Sequence, residues 1–172
     1  MIRRRPGGPA ACRDEGAAAV EFALVVPLLL LLVFGIIDFG ILFGQNLALS
    51  NAARDAARFG VVRQIDGSPG RSCYAVLKRA RDAAVTIALN PNDVGVTVTR
   101  NGTTICSIPA GTALPATANT TALQKLPCAG SVSGTDDQLG VAATYSGRMV
   151  IPVIPGSSFS LTGNGYFKCE YS

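Results

Sequence analysis

The chain has 172 residues, enough for one modest domain plus an appendage and too few for two full domains. Apolar residues make up 48% and charged residues only 15%, against roughly 25% charged in a soluble globular chain, so the average blends a membrane-type segment with an ordinary polar domain. Histidine is absent, which excludes Ser-His-Asp and Cys-His nucleophile pairs, an HExxH zinc site and any imidazole base, and a net charge of +4 with no basic run beyond Arg3-Arg4-Arg5 gives no argument for nucleic acid.

Residues 1–16 hold four arginines and two acids, with Pro and Gly opposing any helix. The apolar stretch 17–44 follows, and as a helix it would measure about 42 Å, more than a hydrocarbon core of ~30 Å requires. From Phe22 to Ile37 no charge occurs. The segment is expected to span a membrane, with the arginines holding the N-terminus inside and the C-terminal bulk outside. A cleaved secretory signal needs a shorter apolar core and a nearer small-residue site. A lipoprotein signal fails because Cys12 precedes the apolar run instead of following it. A plain signal anchor remains open, but it leaves Glu21 unexplained.

Glu21 lies inside the start of the apolar run, where a carboxylate is costly and therefore a functional candidate. Cleavage after Gly16 would create an ammonium at Ala17, about one helical turn from Glu21. In an assembly of parallel helices the carboxylate would pair with the ammonium of a neighbouring subunit, neutralising two charges and fixing the axial stagger.

The stretch Arg13-Asp-Glu-Gly16 followed by Ala17-Ala-Ala-Val-Glu21-Phe22-Ala-Leu-Val-Val-Pro27 resembles the TadE-like family, minor pseudopilins of Flp/Tad pilus systems. The resemblance continues through Phe34-Gly35-Ile-Ile-Asp38-Phe39-Gly40 and Asn51-Ala-Ala-Arg54-Asp-Ala-Ala-Arg58-Phe-Gly60, and recurs faintly at Tyr145 and Phe167-Lys168-Cys169-Glu170. Phe22 stands where major pilins often carry Tyr, and Asp38 is shorter than the Glu frequent there. The resemblance implies removal of leader 1–16 by a prepilin peptidase at the cytoplasmic face, with Gly16, Ala17, Glu21 and Phe22 as the processing site. It also implies a role in pilus biogenesis among other pilins, pseudopilins and the assembly platform, in the cytoplasmic (inner) membrane. The chain is too long for the short major pilin, which favours a minor component.

Helical patterning persists past the membrane. Leu49, Ala52, Ala53, Ala56 and Phe59 fall on one face of an Ala-rich stretch, and Arg54 and Arg58 lie opposite, with Asp55 as a weak partner for Arg58. A helix over 17–60 would reach about 66 Å, absorbing Pro27 as a local kink. Gly40 and Gly44 form a GxxxG that permits close helix approach, so Glu21, Pro27, Asp38, Gly40 and Gly44 are the expected assembly-helix residues.

Residues 61–172 are enough for one small extracytoplasmic head. A second amphipathic helix is expected over 71–89, with Tyr74, Leu77, Ala80, Ala84 and Ile87 inward and Lys78, Arg79, Arg81 and Asp82 mostly outward, ended by Asn90-Pro91. Period-two alternation over 94–99, Asn101-Gly102 and the return through Cys106 predict a hairpin with a type I′ turn. Strands are expected at 138–151 and 158–170, separated from the hairpin by a long surface loop over 107–137. The expected class is α+β, a long N-terminal helix continuing into a pilin-like head with a second helix and an antiparallel sheet. Cys12 belongs to the leader. Cys73, Cys106, Cys128 and Cys169 suggest two disulfides, and of three possible pairings Cys106–Cys128 with Cys73–Cys169 would staple the loop and tie the second helix to the last strand. No CxxC or His supports a metal, and no cofactor or active site is expected. Asp136-Asp137 reads as a solvated loop pair, and the sequons at Asn101 and Asn119 are weak signals. The reading is a non-enzymatic minor pseudopilin. The alternative is a permanently anchored extracytoplasmic binding module with an uncleaved anchor.

Overall fold

The computed structural model describes residues 14–62, 71–85, 90–130, 137–148 and 158–170. Arg3–Arg5, Cys12, the turn near 66–70, Ile87, Asp136 and the expected strand end at 149–151 lie outside them. The elements are α1 (Asp14–Val61), α2 (Cys73–Ala84), a 3-10 turn (Pro91–Asp93), β1 (Val94–Arg100), β2 (Thr103–Ile108), α3 (Thr121–Gln124), β3 (Gln138–Arg148) and β4 (Ser158–Lys168). This is α+β. The chain divides into two compact units at residues 39 and 40.

In the second unit the four strands form one antiparallel sheet in the order β2-β1-β3-β4. The hairpin β1–β2 turns at Asn101 (φ 50°) and Gly102 (φ 81°), both left-handed as a type I′ turn demands. Val94, Val96 and Val98 alternate inward from β1 and pair across to Tyr145, Ala143 and Val141 of β3. Onto this face pack Leu49, Ala52, Ala53, Ala56, Ala57 and Val61 of α1 and Val76, Leu77, Ala80 and Ala84 of α2, all buried. Fully burying each Val or Leu contributes roughly 1.5–3 kcal/mol before entropy is counted.

β4 lies against α1 backbone to backbone. A β-carbon at Gly163 would run into the backbone of Leu49 and Ser50, and one at Gly165 would fall 2.5 Å from the Ala53 carbonyl oxygen. Two residues of strand rise about 6.7 Å and four of helix about 6 Å, so β4 climbs α1 in step, running in the same direction. Small residues on both sides permit this: alanines on the helix and glycines on the strand.

Helix α2 is shorter than its sequence pattern suggests. Ser72 caps it, its hydroxyl accepting from the Ala75 N–H at 3.4 Å, and the chain turns extended at Val85, where the β-branched Val85-Thr86-Ile87 run begins. Its faces also differ from expectation. Tyr74 is only half-buried, its hydroxyl donating to the Ala116 carbonyl at 3.0 Å. Arg81, expected outside, is 2% exposed. Its guanidinium donates to the carbonyl oxygens of Val94 (2.9 Å), Thr112 (2.7 Å) and Pro109 (3.0 Å), and burial lowers its pKa from the usual arginine value. The buried charge is offset by three carbonyl dipoles that also fix the start of the connection after β2.

That connection, expected as surface loop, is partly built in. It carries α3, capped by Thr120, and buries Pro127 and Cys128. The Cys73 N–H donates to the Lys125 carbonyl at 2.7 Å and the Arg100 guanidinium to the Ala129 carbonyl at 2.6 Å, so the segment crosses the end of the sheet. Asn101 closes the crossing, donating from its backbone N–H to the Gln138 carbonyl (3.0 Å) and accepting the Gln138 N–H on its side chain (2.8 Å).

Two disulfides form, as expected in number, but they are Cys73–Cys106 and Cys128–Cys169. The expected pairs, Cys106–Cys128 and Cys73–Cys169, are corrected by the sheet order. Cys106 is on edge strand β2 and Cys169 follows the opposite edge β4, about three strand spacings or ~14 Å away. Because α2 packs over β1 and β2, Cys73 meets Cys106 with Cα atoms 6.4 Å apart, while the crossing loop brings Cys128 to 5.7 Å from Cys169. Loops of 33 and 41 residues separation give about 4 kcal/mol each in the chain-entropy account.

Peptide mapping under non-reducing conditions should recover Cys73 linked to Cys106 and Cys128 linked to Cys169. Gly165→Ala should destabilise the protein by about 1–3 kcal/mol in denaturant melts of the detergent-solubilised chain, because the helix backbone has no rotamer to yield.

Candidate functional site

The residues singled out by the sequence lie along α1. In the first unit the helix is unbroken through Pro27, although that residue cannot donate to the Ala23 carbonyl. Surface is the dominant feature here: Phe22, Leu28 and Phe39 are each 70% exposed, and none of the most apolar window is buried. In length and composition α1 can cross a membrane, which fits a single-pass membrane protein. Lipid or other helices must cover this surface, since nothing within the described chain does.

Gly16 and Ala17 are already helical, because α1 starts at Asp14 rather than at the leader boundary, and both are exposed. Ala17 and Glu21 stand four residues apart on the helix and share a face, with a rise of about 6 Å between them. Glu21 and Phe22 both project outward. A β-carbon at Gly16, Gly35, Gly40 or Gly44 would meet nothing within 4 Å, so the expected close-approach positions are open grooves on the helix surface. Asp38 stands on the opposite rim of the charge-free run from Glu21, and 17 residues of helix separate the two carboxylates by about 26 Å. The structure therefore keeps the acids apart and distributes the assembly-helix residues along the helix instead of gathering them.

Two polar side chains on α1 lie seven residues apart on one face, and sequence reading found only the first. The Asp38 Oδ2 and Gln45 Oε1 atoms are buried without a hydrogen-bond partner among the described residues, and Gln45 is 5% exposed. An isolated Gln at the end of an apolar run carries no sequence signal for burial; only the packing of the second unit supplies it.

From Gln45 onward α1 is two-faced. Leu49, Ala52, Ala53, Ala56 and Ala57 are buried, while Leu47, Asn51, Arg54 and Arg58 are exposed at helical spacing. Asp55 does not serve Arg58. It accepts from the Arg79 guanidinium of α2 at 2.7 Å and 3.4 Å, and this bond raises the Arg79 pKa. Phe59, expected in the core, is half-buried beneath cations, with the Arg71 guanidinium 4.4 Å and that of Arg79 5.9 Å from its ring centre. On the outer side of α2 Lys78 donates to Asp82 at 2.7 Å, which raises the Lys78 pKa. Both ion pairs are solvent-exposed and add little to stability. No group of three or more acidic, Cys or His residues stands close enough to hold a metal among the described residues.

The sequence model of the family described as TadE-like protein matches residues 16–58, about a quarter of the chain. That match begins at Gly16 and ends at Arg58, and so takes in both the exposed apolar helix and most of its buried continuation. No curated protein and no solved structure matches the chain. From Gly16 to Arg58, through the membrane-length helix and the part that enters the core, this chain is similar to the TadE-like family.

Proposed function

We propose that the protein is a minor pseudopilin that takes part in assembling a Flp/Tad-type pilus and matures by prepilin-peptidase cleavage after Gly16. One observation carries this reading: Glu21, at the rim of the charge-free and outward-facing run Phe22–Ile37, stands one turn after the Gly16-Ala17 bond inside the segment that matches the TadE-like family. Cleavage creates an ammonium at Ala17. In a parallel assembly the Glu21 carboxylate takes that of the neighbouring protomer, so each charge that is unfavourable in lipid is neutralised and the stagger of the helices is set. The open positions at Gly40 and Gly44 let helices approach closely.

In this reading the arginines of the leader hold the N-terminus in the cytoplasm, and the head is exported across the inner membrane. The two disulfides support an oxidising compartment for the head. Other pilins and pseudopilins, the prepilin peptidase and the assembly platform are the partners, and the protein performs no catalysis itself. A permanently anchored binding module is the rival, and it differs in retaining the leader.

Intact-mass or N-terminal analysis of protein from its own membrane should give Ala17 as the first residue, and a bulky replacement, Gly16→Val, should leave the chain sixteen residues longer. Retention of Arg3–Arg5 in the wild-type protein would establish the anchored module instead. Glu21→Ala should insert normally, because it removes a carboxylate that costs on the order of 2.5–3.5 kcal/mol at mid-membrane and less near the interface. The same variant should fail to enter filament or complex in a pilus-shearing assay, and wild-type pilus yield would remove the pairing argument.

A further inference from the structure

At the end of the sheet reached by the C-terminus of α1, the hairpin β1–β2 and the crossing loop enclose an open groove of about 420 Å³. That end is fixed by Gly60 of α1, whose position for a β-carbon lies 2.6 Å from Leu139, the β3 partner of Arg100. One wall carries Arg100, Thr103 and Thr104, and the other Lys125, Leu126 and Pro127. Two cationic residues and two threonines therefore line a cleft whose described lining contains no carboxylate. Arg100 is anchored by one bond, from Nη1 to the Ala129 carbonyl, which leaves most of its five N–H donors for another acceptor. Lys125 is exposed and has no ion-pair partner among the described residues.

Another groove of the head behaves differently. It is lined by Lys78, Asp82 and Arg81, yet Lys78 is neutralised by Asp82 and Arg81 is committed to three carbonyls. Of these two grooves, the one beside Arg100 has uncommitted positive charge among the described residues.

We propose that this groove is a binding site for an acidic saccharide, with Arg100 and Lys125 taking its carboxylate or phosphate oxygens. Charge alone would suit any oxyanion. The volume exceeds what a lone inorganic anion needs and falls within the range of small-ligand sites. The exposed Thr103–Thr104 edge of β2 supplies hydroxyl chemistry for sugar hydroxyls, and the half-buried Leu126 supplies an aliphatic contact for the C–H face of a ring. Both walls are held in place before any ligand arrives: Cys106, just beyond the Thr103–Ile105 wall, is tied to α2, and Cys128, following Pro127, is tied to the end of β4. A preformed cleft loses little entropy on binding. The site lies about 30 Å of helix beyond Gly40, in a part of the chain that the family match does not reach. The inference does not depend on the pilus reading, since either a pilus subunit or an anchored module presents the same groove.

Titration calorimetry of the full chain in nanodiscs tests it, using trigalacturonate, glucose 6-phosphate, neutral maltotriose, inorganic phosphate and a short poly-glutamate peptide. The acidic saccharides should bind, maltotriose at least tenfold more weakly, and affinity should fall steeply with salt. Lys125→Gln, a surface change that leaves the backbone bond to Cys73 intact, should weaken trigalacturonate binding roughly tenfold, and Arg100→Lys should weaken it with both disulfides still formed. Equal binding of maltotriose, equal binding of inorganic phosphate, preference for the peptide, or affinity unchanged in Lys125→Gln would each overturn the proposal. N-terminal sequencing of the same sample reports leader removal separately, so the two readings fail independently.

Discussion

The head of this protein depends on a seam where a strand touches a helix backbone to backbone. Gly163 and Gly165 present no side chain to α1, and the backbone of Leu49, Ser50, Ala53 and Arg54 lies flush against them. Such contact yields close dispersion packing along the full length of the matched rise, and it cannot stretch or repack as a seam of leucines would. It makes the second half of α1 part of the core, continuous with β4. Whatever force or contact acts on that half of the helix is therefore carried directly into the sheet, and through β4 into Cys169 and the crossing loop.

The crossing loop is the second constraint. A chain leaving edge strand β2 must return to the far side of β1 to form β3, and 29 residues separate Ile108 from Gln138. A segment of that length with little regular structure is held by point attachments: Arg81 on three carbonyls at its start, the Cys73 and Arg100 bonds in its middle, Cys128–Cys169 near its end and Asn101 at the entry to β3. The hydrogen-bonded attachments also satisfy backbone carbonyl and N–H groups of the loop and its neighbours. The groove beside Arg100 is a product of this arrangement, since its two walls come from segments about 20 residues apart that meet only because the loop crosses the sheet end.

The first half of α1 has the opposite character. Its apolar side chains face outward, its glycines open onto empty space, and Glu21 has no partner of opposite charge among the described residues. Within a lone chain these are unfavourable features. They become consistent once the surrounding medium is lipid and the partner is a neighbouring helix with a free ammonium.

Local physics made much of this legible in the amino-acid order. The apolar stretch 17–44 dictates a helix long enough to cross a membrane, Asn101-Gly102 dictates its turn because both residues accept left-handed angles, and the period-two valines of β1 dictate an inward face. Long-range geometry was not legible there. Which cysteine meets which depends on strand order, and β2 and β4 fall on opposite edges only when the sheet is assembled. The burial of Arg81 depends on carbonyls supplied from residues 13 to 31 positions away, so its helix pattern could only place it outside. Sequence determines what each segment prefers by itself; tertiary structure decides which distant segments meet, because those contacts are set by topology and not by the neighbours along the chain.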